Sequence, residues 1–280
     1  LLVLFVLGAS MAVMPLMSSW INASSGSPWA GLTSIQSLAL VPAGAMTILK
    51  IAAYVFGAGF GDARIAAYAL LALCGLGACA AALIAISKQD MRERLAYSGA
   101  AQILCAIMGA LLALLAGPSG LFASALQIAA TCCAGATLVM AGATVAAVTG
   151  RTSTADYVGL GRVMPWTFAG FAVASASMIG IPPFAGAWAK LWLITAAAGA
   201  GVSWAAALIG ASAILTFAHL GPLAANALAG KAPTDAFKRP DGASIFLVAP
   251  IVIGAAATLS LLALADPLAT FLSSVWAPSQ

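Results

Sequence analysis

Long apolar stretches broken by short charged loops dominate this chain, and they leave few solvents in which it can fold. They run from Leu1 to about Leu16, Leu32 to Gly57, Ile65 to Ser87, Leu95 to Ala116, Leu121 to Val148, Met164 to Gly201, Val202 to Gly230 and Ala243 to Ala265. Within them the only Lys or Arg side chains are Lys50 and Lys190, and there is no carboxylate. A helix needs about 20 apolar residues to cross roughly 30 Å of hydrocarbon, so most stretches supply one crossing each. Charged residues make up 6% of the 280, against roughly 25% in a soluble domain, and cannot coat a water-facing surface. The fold class read here is all-α: a polytopic membrane protein of about eight transmembrane helices, multi-pass in a lipid bilayer. The net charge of +4 comes from basic residues scattered among loops. No basic stripe with interleaved aromatics exists, which excludes a nucleic-acid partner.

The stretch from Met164 to Gly201 is 38 residues long, enough for two crossings, but the pair Pro182-Pro183 divides it. Lys and Arg concentrate in short cytoplasmic loops, and this bias discriminates between two crossings and one. With two, Lys88, Arg92, Arg94, Arg151 and Arg162 face Arg64, Lys231, Lys238 and Arg239 across the bilayer, which is no bias. With one discontinuous helix over 164–200, loops 88–94, 151–162 and 231–239 share a side and carry eight basic residues against Arg64 alone. The single broken crossing is therefore expected, with those loops cytoplasmic and the chain in the cell inner (plasma) membrane. Broken helices at membrane depth survive where the freed backbone is buried in protein or lines a watery cavity, and in transporters they mark a substrate or ion site. An ordinary proline-kinked helix is the competing explanation.

Lys190 follows the break by seven residues, and Lys50 lies about two thirds of the way along its stretch. Each costs about 2.5 to 3.5 kcal/mol at the bilayer centre on insertion scales. Burial disfavours an ammonium, so a lysine in a partly hydrated pocket can exchange its proton near neutral pH. Lys190 and Lys50 are the first candidates for a proton relay, with snorkelling to the interface as the alternative, more so for Lys50. His219, the only histidine, ranks third, because a lone helix-face histidine is more often simply bonded to a neighbouring helix. All seven carboxylates lie at helix ends or in loops, so a carboxylate sodium site cannot be built from this chain alone. The five cysteines sit in apolar runs without metal-site spacing, and no phosphate-loop, dinucleotide or hydrolase motif is present. The expected cofactors, metal ligands and catalytic residues are therefore none.

Specific strings then point to a family. Ser87 to Gln102 (SKQDMRERLAYSGAAQ) resembles the D-L/I-K-R/K-x-L-A-Y-S-S-x-S-Q segment of antiporter-like subunits of respiratory complex I, membrane hydrogenases and Mrp-type cation/proton antiporters. Gly159 to Thr167 (GLGRVMPWT), then Met178 to Gly186 (MIGIPPFAG) and Lys190, resemble its G-L-x-R-x-M-P-x-T and G-x-P-P-x-x-G-F-x-x-K stretches. Leu49 to Tyr54 (LKIAAY) matches L-K-x-x-x-Y. The resemblance covers essentially the whole chain, with the D-type Mrp antiporter subunits nearest.

The resemblance implies inverted helical repeats, each with a broken helix, and a midplane axis of lysines that passes protons. It places Lys190 on the second broken helix and Lys50 on the linking lysine of the first half-channel. On that basis residues 1–58 are a remnant of a first repeat, 65–230 a second repeat and 243–280 a C-terminal helix and tail, all in one N-terminally incomplete domain. The implied partners are other membrane subunits of a multi-subunit complex, of the antiporter or the NADH dehydrogenase-like kind, with protons and either Na+ or K+ as ions. Departures accompany it: Ser10 and Met17 stand where a family lysine and histidine would be, and Ala130 and Ala134 replace a central His and Lys. These favour the alternative of a non-conducting structural subunit. An unrelated small-solute permease would leave the lysine motifs without explanation. Trp188, Trp192 and the small residues Ala196 to Gly201 are the expected surface for partner helices.

Overall fold

In the computed structural model, residues 28–29, 40–51, 54–55, 64–231 and 244–276 are described. They form nine α-helices and two 3-10 turns, with no strand among the described residues. The helices are α1 (Leu40–Ile51), α2 (Arg64–Ser87), α3 (Met91–Ala116), α4 (Pro118–Thr149), α5 (Pro165–Ile179), α6 (Ala185–Gly199), α7 (Ser203–Ala229), α8 (Ile245–Ala263) and α9 (Ala265–Trp276). Five of them, α2, α3, α4, α7 and α8, are long and apolar enough to cross a membrane.

Local chemistry sets the boundaries. Asp90 caps α3 by accepting the Arg92 amide at 2.7 Å, and Glu93 adds negative charge at the positive end of the helix. Gly117, at φ 74°, ends α3, and Pro118 starts α4 at once. That order uses glycine where a left-handed backbone is required and proline where no amide donor is needed.

The 164–200 segment is one broken crossing. At about 1.5 Å per residue the 15 residues of α5 reach only about 22 Å, too short for the hydrocarbon, and α6 is equally short. Both pack along α4 and α7. Phe168, Phe171 and Ala174 of α5 belong to a core with Met91, Val145, Tyr157 and Leu223. Leu193, Ala196 and Ala197 of α6 belong to another with Leu112, Leu121, Ala205 and Ile209. Since α3, α4 and α7 each run from one core to the other, α5 and α6 occupy opposite halves of a single span. Five long helices and this crossing account for six of the expected eight; the other two fall at 1–16 and 32–57, largely outside the described residues.

The basic loops come together at one end. Met91 donates its amide to Thr152 O at 3.0 Å, Thr154 to Gln89 O at 2.9 Å and Gly159 to Asn226 O at 3.0 Å. Asp90 and Ser153 form an isolated bridge. Arg64 opens α2 at the other end of the bundle. Loop 232–239 lies outside the described residues.

The expected partner surface is only partly free. Trp188 and Trp192 are exposed, but Ala196 and Ala197 are buried in this chain's own core. Small side chains there let α6 approach its intramolecular neighbours, and sequence spacing alone could not say which neighbour they served.

Candidate functional site

The break between α5 and α6 builds a cradle for one side chain. Gly180 turns the chain at φ 94°, and the amides of Gly180 and Ile181 both bond back to Ala176 O, at 3.0 and 2.9 Å. This closing turn leaves the last carbonyls of α5 without amide partners. The Pro182-Pro183 peptide is cis, and Phe184 leads into α6. One and a half turns on, the buried Lys190 turns back and its Nζ donates to Ile179 O at 3.0 Å and to Met178 O. The ammonium thus sits on the negative end of the α5 dipole.

Glycine makes the fit possible. A Cβ on Gly180 would stand 2.8 Å from Lys190 Cδ, and one on Gly186 would stand 1.8 Å from Ser177 O. Gly186 also donates its amide to Ser177 Oγ at 3.3 Å. No carboxylate pairs with Lys190 among the described residues. The ion pairs Lys88–Glu93 at 2.7 Å, Arg92–Asp90 at 3.6 Å and Arg151–Asp156 at 3.6 Å all lie at the basic end. There, the hydrogen bond to Glu93 holds the Lys88 pKa above its ordinary value.

The other sequence candidates lie apart from this cradle. Lys50 is in the last turn of α1, exposed, on a helix that packs on α3 and α4. His219, on α7, is buried, and its Nδ1 is 2.9 Å from Leu215 O. Because a carbonyl can only accept, that contact assigns the proton to Nδ1. Nε2 is buried without a hydrogen-bond partner. His219 borders a cleft of about 370 Å³ at the basic end, with Gln89, Arg94, Ser153, Thr154 and Asn226. Ala130 and Ala134 are buried in the core; Ser10 and Met17 lie outside the described residues.

Sequence reasoning missed a buried polar network on α3, α4 and α7. Gln127 Nε2 donates to Gln102 Oε1 at 3.1 Å, and Gln102 Nε2 to Thr216 Oγ1 at 3.2 Å. Arg94, treated only as a loop charge, donates to Lys88 O at 2.9 Å, Ile86 O at 3.1 Å and His219 O at 3.4 Å. It thereby ties the end of α2 to α7. The available signal was the spacing of Arg94, Ser98, Gln102 and Cys105, which sets polar groups on one face of an otherwise apolar helix.

Comparison with known proteins agrees with this architecture. Residues 1–216 match the model of the family described as NADH:quinone oxidoreductase/Mrp antiporter, transmembrane. The chain belongs to that family. It is 26% identical over 221 residues to NADH-quinone oxidoreductase subunit N of Desulforudis audaxviator, covering 79% of this chain and 43% of that protein. The chain thus spans less than half the length of this curated relative. Its fold is similar to that in the Mrp complex from Dietzia sp. DQ12-45-1b, with a TM-score of 0.83 and 23% identity over 98% of this chain and 58% of that one. It is also similar to that in respiratory complex I from Thermus thermophilus, with a TM-score of 0.70 and 23% identity over 95% and 56%.

Proposed function

We propose that this chain is a membrane subunit of a proton-translocating complex, of the cation/proton antiporter or NADH dehydrogenase-like kind, in which Lys190 takes up and releases the transported proton. One observation carries the reading: a buried lysine stands at the break of a crossing, held by two helix-end carbonyls and by no carboxylate among the described residues. The ammonium donates to both carbonyls, whereas the neutral amine keeps a lone pair for a proton arriving by another route. Two states of similar geometry are what a relay requires. Family membership supports the reading, because relatives include subunits of Mrp and complex I assemblies. In this proposal the basic end faces the cytoplasm across the inner membrane, the partners are other membrane subunits, and Na+ or K+ is a candidate coupled ion. Lys50 serves as a linking group toward the first repeat, which 1–58 would represent.

The second reading is a structural subunit without conduction. The burial of Ala130 and Ala134 in the core, where the resemblance puts a histidine and a lysine, favours it. Proton flux into vesicles containing the whole assembled complex separates the two. Under the relay reading, Lys190→Ala lowers flux by about a hundredfold, the low end of what a positioned proton-transfer group contributes. Unchanged flux at normal assembly would establish the structural reading.

A further inference from the structure

A ridge on α7 leads from the apolar exterior into the cleft at the basic end. Ile214, Ala218, Pro222 and Asn226 recur every four residues, so they lie along one side of the helix. All four are exposed. The last three line the cleft of about 370 Å³, while Ile214, at 70% exposure, belongs to the apolar surface. Phe217 is exposed next to it. One turn further from the cleft, a Cβ on Gly210 would meet nothing within 4 Å. The small side chains of Gly210 and Ala218 leave room along this ridge for a hydrocarbon chain.

The cleft itself is polar and positive. Arg94 is the one charged residue that lines it, and no carboxylate does. The carboxylates of this end are engaged elsewhere: Glu93 pairs with Lys88, Asp90 with Arg92 and Asp156 with Arg151. Three of the five N–H groups of Arg94 donate to Lys88 O, Ile86 O and His219 O. These bonds fix the guanidinium and leave two N–H groups that no described residue engages. A partly buried cation without a counter-ion favours an anion beside it. His219 is 2% exposed, its Nδ1 proton is committed to Leu215 O, and its Nε2 has no partner. A buried acceptor in that condition calls for a donor. The chemistry that satisfies all three features is an anion and a hydroxyl carried on an apolar tail. Basic pockets between helices at the cytoplasmic side of a membrane take anionic headgroups of this kind.

We propose that the cleft is a binding site for an anionic phospholipid whose headgroup carries a free hydroxyl, of the phosphatidylglycerol kind. The phosphodiester sits against Arg94, and the headgroup hydroxyl donates to His219 Nε2. One acyl chain follows Pro222, Ala218, Ile214 and Gly210 down the outside of α7. A zwitterionic head would bring a second cation beside Arg94 with no carboxylate to meet it. A soluble phosphate would match Arg94 and leave the exposed ridge unused. The site stands apart from Lys190 and holds whether or not the chain conducts protons.

The test uses the assembled complex in phosphatidylcholine vesicles doped with phosphatidylglycerol that is photoactivatable in its acyl chain, with labelled residues mapped by mass spectrometry. Labelling is expected on α7 between Gly210 and Phe217, displaced by unlabelled phosphatidylglycerol and not by soluble glycerol phosphate. Arg94→Gln should lower it by about tenfold, the worth of one charged hydrogen bond. Ala218→Phe, which fills the ridge from an exposed position, should abolish it, and Leu76→Phe, exposed on α2, should leave it unchanged. A phosphatidylmethanol probe, anionic but without the hydroxyl, should label about fivefold less. Equal labelling by a phosphatidylcholine probe, or full labelling of Ala218→Phe, would overturn the site. Displacement by glycerol phosphate would make it a site for soluble anions and overturn it equally. Equal labelling by phosphatidylmethanol would overturn the contact with His219. Should Arg94→Gln fail to assemble, Ala218→Phe and the headgroup series decide.

Discussion

Gly186 donates its amide to Ser177 Oγ at 3.3 Å, and its Cα approaches so closely that a Cβ would stand 1.8 Å from the Ser177 carbonyl oxygen. The first turn of α6 is therefore seated directly on the last turn of α5. This seating aims Lys190 at the carbonyls of Met178 and Ile179, so the broken crossing and the buried lysine are one construction.

Gly186→Ala is expected to be among the most damaging single-methyl changes in the chain. The obstructing atom is backbone, which cannot rotate away, and overpacking of a tight contact costs about 1 to 3 kcal/mol or more. Gly210→Ala, in α7 with open space at its Cβ, is the control and should be neutral or stabilising by about 0.5 to 1 kcal/mol. Thermal denaturation of the purified protein reads both. Equal melting temperatures for the two variants would contradict the close seating.

The basic loops should label from one side of the membrane. In a background lacking the five native cysteines, Arg151→Cys and Lys231→Cys are expected to react with an impermeant thiol reagent on the same face, and Arg64→Cys on the opposite one. Orientation by the positive-inside bias makes the shared face cytoplasmic. Reaction of positions 151 and 231 from opposite sides would remove the single broken crossing.

How far the sequence could see is clearest at this break. The proline pair and the distribution of Lys and Arg were enough to locate one discontinuous helix, because both report on the membrane directly. The carbonyls that receive Lys190 were not legible, since they are freed only by the turn at Gly180. Gln102 stood inside a recognised string, yet its partners on α4 and α7 depend on packing between helices distant in the chain. Lys50 shows a different limit: it stands in an apolar stretch, and its side chain is exposed on α1. Hydropathy does not say which face of a helix packs against its neighbours, so it could not distinguish a buried position from an exposed one.

Tyr157 gives a prediction that depends on pH. Its hydroxyl is buried without a partner in the loop end, ringed by Phe168 at 5.9 Å and Phe171 at 6.2 Å. Burial, reinforced by Asp90 and Asp156, pushes its pKa far above the ordinary value of about 10. The unfolded chain then releases this proton first. The resulting loss of stability begins as pH rises through the ordinary tyrosine value and continues upward. Tyr157→Phe should therefore flatten the alkaline side of a melting-temperature profile. At neutral pH it should cost little, since it also removes an unsatisfied group worth about 1 to 3 kcal/mol. An unchanged alkaline slope would contradict the assignment.

Lys190 can be tested for two roles at once, because its bonding and its proton exchange separate under substitution. Lys190→Met keeps the stem but abandons two buried carbonyls, so it should cost about 1 to 3 kcal/mol of stability as well as transport. Lys190→Arg retains donors for Met178 O and Ile179 O, and should assemble and melt near wild type if the cradle accommodates the larger head. Transport should still fail by about a hundredfold, because a guanidinium stays protonated and cannot hand its proton on. A lysine that only ties α6 to α5 predicts the opposite pattern: Lys190→Arg active and stable, Lys190→Met defective through instability alone. Flux and melting temperature measured on the same reconstituted complexes across a pH series decide between them. Wild-type flux in a stably assembled Lys190→Arg complex would end the relay reading.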